Sequence, residues 1–186
     1  MIVYDGIKTE FLNSVMNGTI AEEVRQRIRE KMGRTTPKSE FDSWKNSLTR
    51  MYMVLADTSI PDHAGIAIEY NVPQTSKRVD FIVSGYDADN QSNAVIIELK
   101  QWDELKKVDG KDALVETYTG GGLREVVHPC YQVWSYATLI RDYNKTVQDQ
   151  NIILSPCAYL HNYALKEKDP ILDEKYKEYI DEAPVF

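Results

Sequence analysis

The stretch that decides the fold runs from Lys77 to Trp102 and reads KRVDFIVSGYDADNQSNAVIIELKQW. β-Branched and aromatic residues dominate both of its ends, and a polar run from Tyr86 to Asn93 separates them, so it predicts two strands joined as a hairpin. Successive side chains of a strand point to opposite faces. Alternation therefore predicts two shared faces: Arg78, Asp80 and Ile82 on the first strand, and Ala94, Ile96, Glu98 and Lys100 on the second.

Three ionisable groups of this hairpin, Asp80, Glu98 and Lys100, interrupt apolar runs. Charges inside a buried strand are costly unless they pair or bind a metal ion. The two carboxylates are hard oxygen ligands suited to Mg²⁺ or Mn²⁺. Lys100 follows Glu98 by two residues, roughly 6.5–7 Å along a strand, where an ammonium stabilises charge on a phosphate. The set predicts phosphodiester hydrolysis; the alternative is a carboxylate–lysine pair within the sheet, without a metal.

The rest of the chain predicts helices and strands on both sides of the hairpin. In order these are a strand or loop at 1–10, helices at 20–32 and 37–56, strands at 66–72 and 114–119, a helix at 129–143, a strand at 151–159 and a terminal helix at 172–180. Gly33 is placed to end the first helix, Thr36 and Pro37 to begin the second, and Pro129 to begin the third.

Three further polar residues lie where a site could use them. Glu40 falls on the same helix face as Trp44, Glu69 lies within a predicted strand, and Gln132 shares a mostly apolar helix face with Tyr136. Each also has an ordinary explanation. A first-turn Glu is favoured by the helix dipole, a strand Glu can face solvent, and a helix Gln can lie at the surface.

Composition predicts one soluble domain, because 42% of the 186 residues are hydrophobic and 27% are charged. No run approaches the ~20 apolar residues of a membrane helix, and the first residues lack the apolar core of a signal peptide. Two cysteines are too few for a disulfide framework and fit a reducing compartment. We therefore expect a cytoplasmic protein with no membrane partner.

Charge is unevenly distributed. The net charge of −7 argues against a constitutive, sequence-independent grip on nucleic acid. Between Arg25 and Arg50, however, eight basic residues face three acidic ones. This basic segment is able to meet a phosphate backbone, or it is simply a solvated helix face.

The order of these elements resembles the PD-(D/E)XK nuclease superfamily. Its signature corresponds here to Asp80, seventeen intervening residues, and Glu98-Leu99-Lys100, with Val79 where the signature has Pro. The wider pattern comprises Glu40-X3-Trp44-X2-Ser47-Leu48, Glu69-X3-Pro73, Arg78-X-Asp80, Glu98-Leu99-Lys100-Gln101-Trp102 and His128-Pro129-X2-Gln132-X3-Tyr136. The resemblance implies an α/β (α+β) fold with a restriction-endonuclease-like core, in which helices flank a central four-stranded mixed β-sheet.

The same resemblance implies roles for the residues. Asp80 and Glu98 would bind Mg²⁺ or Mn²⁺ together with the Leu99 carbonyl, and Lys100 would assist catalysis. Glu40 or Glu69 would be the accessory acid, and Gln132 the polar residue on the following helix. The substrate would be nucleic acid, most naturally DNA, cut endo- or exonucleolytically. Cutting both strands of a duplex would require a homodimer or two sequential nicks.

The wider pattern is similar to the nuclease-like domain at the N-terminus of bacterial proteins that end in a helicase-type ATPase. It implies an N-terminal helical extension at 1–35, a core at 36–163 and a C-terminal helical tail at 164–186. The apolar end of the chain has no stop signal, so we expect it to continue into a longer protein that carries the ATPase.

Two alternatives come from other functional classes. One is a catalytically silent nuclease-like fold that only binds nucleic acid or a partner domain. The other is a zinc-stabilised interaction module that uses His128, Cys130, Cys157 and His161, although their spacing matches no known zinc finger.

Overall fold

The computed structural model describes residues 1–186, which form eight strands and six α-helices. The strands are β1 (Ile2–Ile7), β2 (Gly65–Asn71), β3 (Arg78–Tyr86), β4 (Ser92–Lys100), β5 (Leu105–Lys107), β6 (Leu114–Thr119), β7 (Gly122–Val127) and β8 (Ile153–Leu160). The helices are α1 (Lys8–Met16), α2 (Ile20–Met32), α3 (Lys38–Leu55), α4 (Pro129–Tyr143), α5 (Lys145–Asp149) and α6 (Lys177–Glu182). Two short 3₁₀ turns, Pro170–Leu172 and Glu174–Tyr176, precede α6.

The main sheet has five strands in the order β1-β2-β3-β4-β8. β1 to β4 pair antiparallel, whereas β8 pairs parallel to β4, so the sheet is mixed as expected. It has one strand more than the expected four, because the N-terminal segment also supplies an edge strand that pairs with β2. The mixed α+β class is therefore confirmed. A second, three-stranded sheet, β5-β6-β7, lies in the long connection from β4 to β8.

The main sheet separates two apolar cores. One core joins α1, α2 and α3 to residues such as Phe81 and Ile97, and the other joins α4, α6 and the small sheet to residues such as Val79 and Ile96. Both faces are covered, which explains the near-continuous apolar runs of β3 and β4. No helix is both long and apolar enough to span a bilayer.

The helices at 20–32 and 129–143 lie where the sequence predicts them. Val24 and Ile28 form the buried stripe of α2, and Gly33 ends that helix with a φ of 64°. The helix α3 begins at Lys38, one residue after the predicted start, because Pro37 takes the cap position in an extended conformation. The terminal helix is shorter than expected, since 3₁₀ turns replace its first half.

The helix α1 was not predicted, and its first residue, Lys8, is 3% exposed. The ammonium donates to the carbonyls of Asp57 and Ile60 at 3.1 and 2.6 Å and pairs with Asp62 at 3.3 Å. It thereby ties the loop before β2 to the start of α1. These partners offset the cost of burying the charge.

Candidate active site

A cleft of about 670 Å³ opens between α3 and α4 at one edge of the main sheet. Because β3 runs antiparallel to β2 and β4, the ends of those two strands meet the beginning of β3 at this edge. All seven residues that the sequence analysis selected line the cleft: Glu40, Glu69, Asp80, Glu98, Leu99, Lys100 and Gln132. The topology therefore brings together residues from five elements, α3, β2, β3, β4 and α4, that are far apart in the sequence.

Glu98 lies at the bottom of the cleft and is 2% exposed. Its Oε1 accepts hydrogen bonds from Lys100 Nζ at 2.5 Å and from Gln132 Nε2 at 2.7 Å. Gln132 Oε1 accepts a second hydrogen bond from Lys100 Nζ at 3.2 Å, and Gln132 Nε2 also donates to Tyr136 Oη at 2.9 Å. The predicted face shared by Glu98 and Lys100 is thus the one that contacts α4. The other carboxylate oxygen, Glu98 Oε2, is buried and has no partner.

Asp80 is half-buried beside this cluster. Its Oδ2 accepts a hydrogen bond from the backbone N–H of Leu99 at 2.9 Å, which fixes the carboxylate next to the end of β4. Because Leu99 directly follows Glu98, this hydrogen bond also holds the Asp80 carboxylate close to the backbone that carries Glu98. Asp80 and Glu98 therefore face the same part of the cleft.

Glu69 departs from the predicted alternation. Its φ of 59° is left-handed, and it pairs with neither neighbouring strand, although Ile68 and Tyr70 pair with Phe81 and Val79. This conformation turns Glu69 to the same side as Ile68, whereas Tyr70 packs against the core under α4. Strict alternation along the predicted strand at 66–72 would place Ile68 and Tyr70 on one face, whereas the structure places them on opposite faces. A non-glycine residue in this region is strained, and such strain is enriched at functional sites.

The acids on the α3 side of the cleft are held by arginines. Glu69 is 2% exposed, accepts from Trp44 Nε1 at 2.8 Å and pairs with Arg78 Nε at 2.6 Å. Arg78 also pairs with Glu40 at 2.7 Å, and Arg34 binds Glu40 through two nitrogens at 3.0 and 3.1 Å. Arg78 therefore points towards α3 and does not share the face of Ile82. The sequence analysis did not predict these ion pairs. The one local signal was Arg78 itself, a charged residue in the predicted strand two positions before Asp80.

Burial governs the ionisation of the cleft. Burial, reinforced by the charge of Asp80, raises the pKa of Glu98. Burial also raises the pKa of Glu69 to about 7, against the opposing effect of Arg78. Burial opposes the charge of Lys100, but Glu98 and Asp80 outweigh it and raise the lysine pKa. Burial likewise opposes ionisation of Glu40, yet the hydrogen bonds from Arg34 and Arg78 lower its pKa.

The donor set fits a hard divalent cation. When all side chains of the cleft are ionised, four carboxylates face three cationic groups, so one negative charge is uncompensated. No three His, Cys, Asp or Glu side chains converge tightly enough to hold an ion by themselves. Mg²⁺ commonly uses one or two carboxylates and fills its other positions with water and phosphate oxygens. Asp80, the unpartnered Glu98 Oε2 and the Leu99 carbonyl match that requirement, whereas Glu40 and Glu69 are committed to arginines.

A cluster of uncharged polar side chains, Ser47, Gln101 and His161, lies beside the site, next to the backbone of Lys100. Ser47 Oγ lies 3.0 Å from His161 Nε2 and accepts from Gln101 Nε2 at 3.1 Å, and the His161 backbone N–H donates to the Lys100 carbonyl at 3.1 Å. Burial lowers the pKa of His161. These contacts link the end of β4 to α3 and β8, and so fix the backbone that carries Lys100.

The structure is incompatible with the zinc module. His128 is fully buried, and its two ring nitrogens lie 3.1 Å from the Ile171 carbonyl and 3.3 Å from the Cys130 N–H. Cys130 belongs to the core under α4, whereas Cys157 packs against the opposite core. Both cysteines have raised pKa values because of burial, which disfavours the thiolate that binds zinc.

No family model, curated protein or solved structure matches the chain.

Proposed function

We propose that the chain is a Mg²⁺- or Mn²⁺-dependent nuclease domain that hydrolyses phosphodiester bonds of nucleic acid, most naturally DNA. The observation that carries this proposal is the buried, unpartnered Glu98 Oε2 beside Asp80 and Lys100. A buried carboxylate oxygen without a donor is costly, and a cation would satisfy it. The same residues support a restriction-endonuclease-like core and, in a longer protein, a helicase-type ATPase as partner domain.

Each residue has a role that its contacts support. A bound Mg²⁺ would polarise the phosphate and lower the pKa of a bound water. Asp80, Glu98 and the Leu99 carbonyl would hold that ion. Lys100 Nζ is oriented by Glu98 and Gln132, so it places a fixed positive charge where a phosphate bears negative charge. Glu98 must lose its proton to bind the cation, and its contact with Lys100 favours that loss.

The second candidate is a nuclease-like fold that binds nucleic acid without cutting it. One observation favours it: Glu40 and Glu69, the expected accessory acids, are paired with Arg34 and Arg78. Of the four carboxylates of the cleft, only Asp80 and Glu98 thus make no ion pair with an arginine. The experiment below separates the two functions.

The test is cleavage of end-labelled single-stranded DNA, duplex DNA and RNA in Mg²⁺, in Mn²⁺ and in EDTA. We expect metal-dependent cleavage that falls by about 100-fold or more in Asp80→Asn and in Lys100→Met, because each removes a group that acts on the reacting phosphate. Lys100→Met should retain the metal. Asp149→Asn is the matched control, since Asp149 is exposed on α5 and its side chain makes no hydrogen bond or ion pair.

Two results would contradict hydrolysis by this cleft. Equal cleavage by the wild type and Asp80→Asn would show that another nuclease is present in the preparation. Binding of oligonucleotides by the wild type without cleavage in either metal would establish the binding module instead.

A further inference from the structure

A second cavity lies next to the cleft, between α2 and the segment that connects it to α3. This α2–α3 groove has a volume of about 790 Å³, and no hydrophobic residue lines it. Three arginines, Arg25, Arg29 and Arg34, outnumber its two glutamates, Glu22 and Glu30. The lining of the groove therefore carries one net positive charge, in a chain whose net charge is −7.

The partners of these arginines show which charges are free. Arg25 pairs with Glu22 at 2.5 Å and lies 4.8 Å from the centre of the Phe41 ring. Arg29, one helical turn further along α2, is exposed and makes no side-chain hydrogen bond or ion pair. Arg29 is thus available to an anion, whereas Arg25 is paired with Glu22 and Arg34 with Glu40.

Two features of the connecting segment also suit an anion. Thr36 lines the groove, and its Oγ1 is buried without a hydrogen-bond partner. A buried hydroxyl that lacks a partner is costly, and a phosphate oxygen would accept its hydrogen bond. The helix α3 starts two residues later with no side chain capping its first turn, so its free N–H groups add positive potential there.

Arg34 connects the groove to the cleft. It lines both cavities, and its guanidinium binds Glu40 on the cleft side. A polyanion that occupies the cleft would therefore meet the α2–α3 groove next. Backbone phosphates of a nucleic acid repeat along the chain, so one strand is able to occupy both cavities.

We propose that the α2–α3 groove is a phosphate-binding subsite, in which Arg29, Arg34 and Thr36 hold the nucleic-acid backbone outside the metal cleft. This inference rests on the proposed function, because it takes nucleic acid as the ligand. It adds a specific path: the strand leaves the metal cleft across Arg34 and over α2. Phosphate contacts of this kind position a strand without reading its sequence.

The test is fluorescence anisotropy with labelled oligonucleotides in EDTA, so that binding is measured without cleavage. We expect Arg29→Glu to weaken binding by roughly tenfold at about 50 mM salt and to reduce the slope of log K against log salt by about one. Lys145→Glu, which makes the same charge change on exposed α5, is the matched control and should leave both quantities unchanged. Thermal melts check that the variants are folded.

Thr36→Val distinguishes a built subsite from a diffuse basic face, because it leaves the charge unchanged. A loss of several-fold in Thr36→Val, together with the loss in Arg29→Glu, supports the subsite. Equal affinity of Arg29→Glu and Lys145→Glu, or wild-type affinity of Thr36→Val, overturns it even if the protein cleaves nucleic acid. Binding that depends on Arg29 and Thr36 without metal-dependent cleavage would support the groove and refute hydrolysis. Absence of oligonucleotide binding by the wild type would overturn the groove.

Discussion

Glu98→Gln should stabilise the metal-free protein, and the gain should grow with pH. Burial raises the folded-state pKa of Glu98 above its unfolded value, so the folded protein holds a proton that the unfolded chain releases. Wild-type stability therefore falls, by at most about 1.4 kcal/mol per pH unit, as the pH rises from the unfolded pKa through the folded one. Glutamine has nearly the same shape, remains neutral and still offers an oxygen to Lys100 and Gln132.

We expect Glu98→Gln to be about 2 kcal/mol more stable than the wild type at pH 7 and nearly equal to it at pH 4. For a chain of this size, that difference is roughly 4–8 °C in Tm. The assay is thermal melting in EDTA at several pH values, with the exposed Glu167→Gln as control. Saturating Mg²⁺ should stabilise only the wild type and reduce or reverse the difference. A variant less stable than the wild type at pH 8, or a difference independent of pH, would refute the reasoning.

Three further predictions concern buried side chains whose contacts hold the fold. Lys8→Met removes the buried ammonium that donates to the Asp57 and Ile60 carbonyls, so we expect urea denaturation to show a loss of about 2–4 kcal/mol. Trp44→Phe removes the donor to Glu69 and should cost about 1–3 kcal/mol in the same assay, with a wild-type value arguing against that bond. Burial lowers the pKa of His128 to about 4, so its NMR signals should not titrate between pH 7 and pH 5, and a midpoint near 6.5 would contradict its buried position.

The sequence predicted correctly those elements whose position depends on neighbouring residues, namely helix periodicity, helix ends and the central hairpin. The stripe of α2 and its stop at Gly33 follow from helical periodicity and a left-handed cap. Pro129 marks the start of α4 because its fixed φ suits the first helical turn. The hairpin of β3 and β4 also follows from its composition, and with it the common face of Glu98 and Lys100.

The features that sequence reasoning missed depend on distant contacts. Glu69 reverses the strand alternation through a left-handed conformation that costs energy, and nothing in its neighbours marks that choice. The pairing of Arg78 with Glu40 spans 38 residues, so no local pattern predicts it. The small strand β5 has only three residues and gains its order from pairing with β6. Alternation therefore predicted the common face of Glu98 and Lys100, but long-range ion pairs decide which acids of the cleft lack an arginine partner.

The central claim, that Asp80 and Glu98 hold a divalent cation, is tested most directly by calorimetric titration of Mg²⁺ and Mn²⁺ into the wild type, Asp80→Asn and the control Asp149→Asn. We predict saturable binding in the wild type and the control, and its loss in Asp80→Asn. The heat at pH 7 should also depend on the ionisation enthalpy of the buffer, because Glu98 releases a proton when the ion binds. Absence of saturable heat in the wild type, or equal binding by Asp80→Asn, would contradict the account.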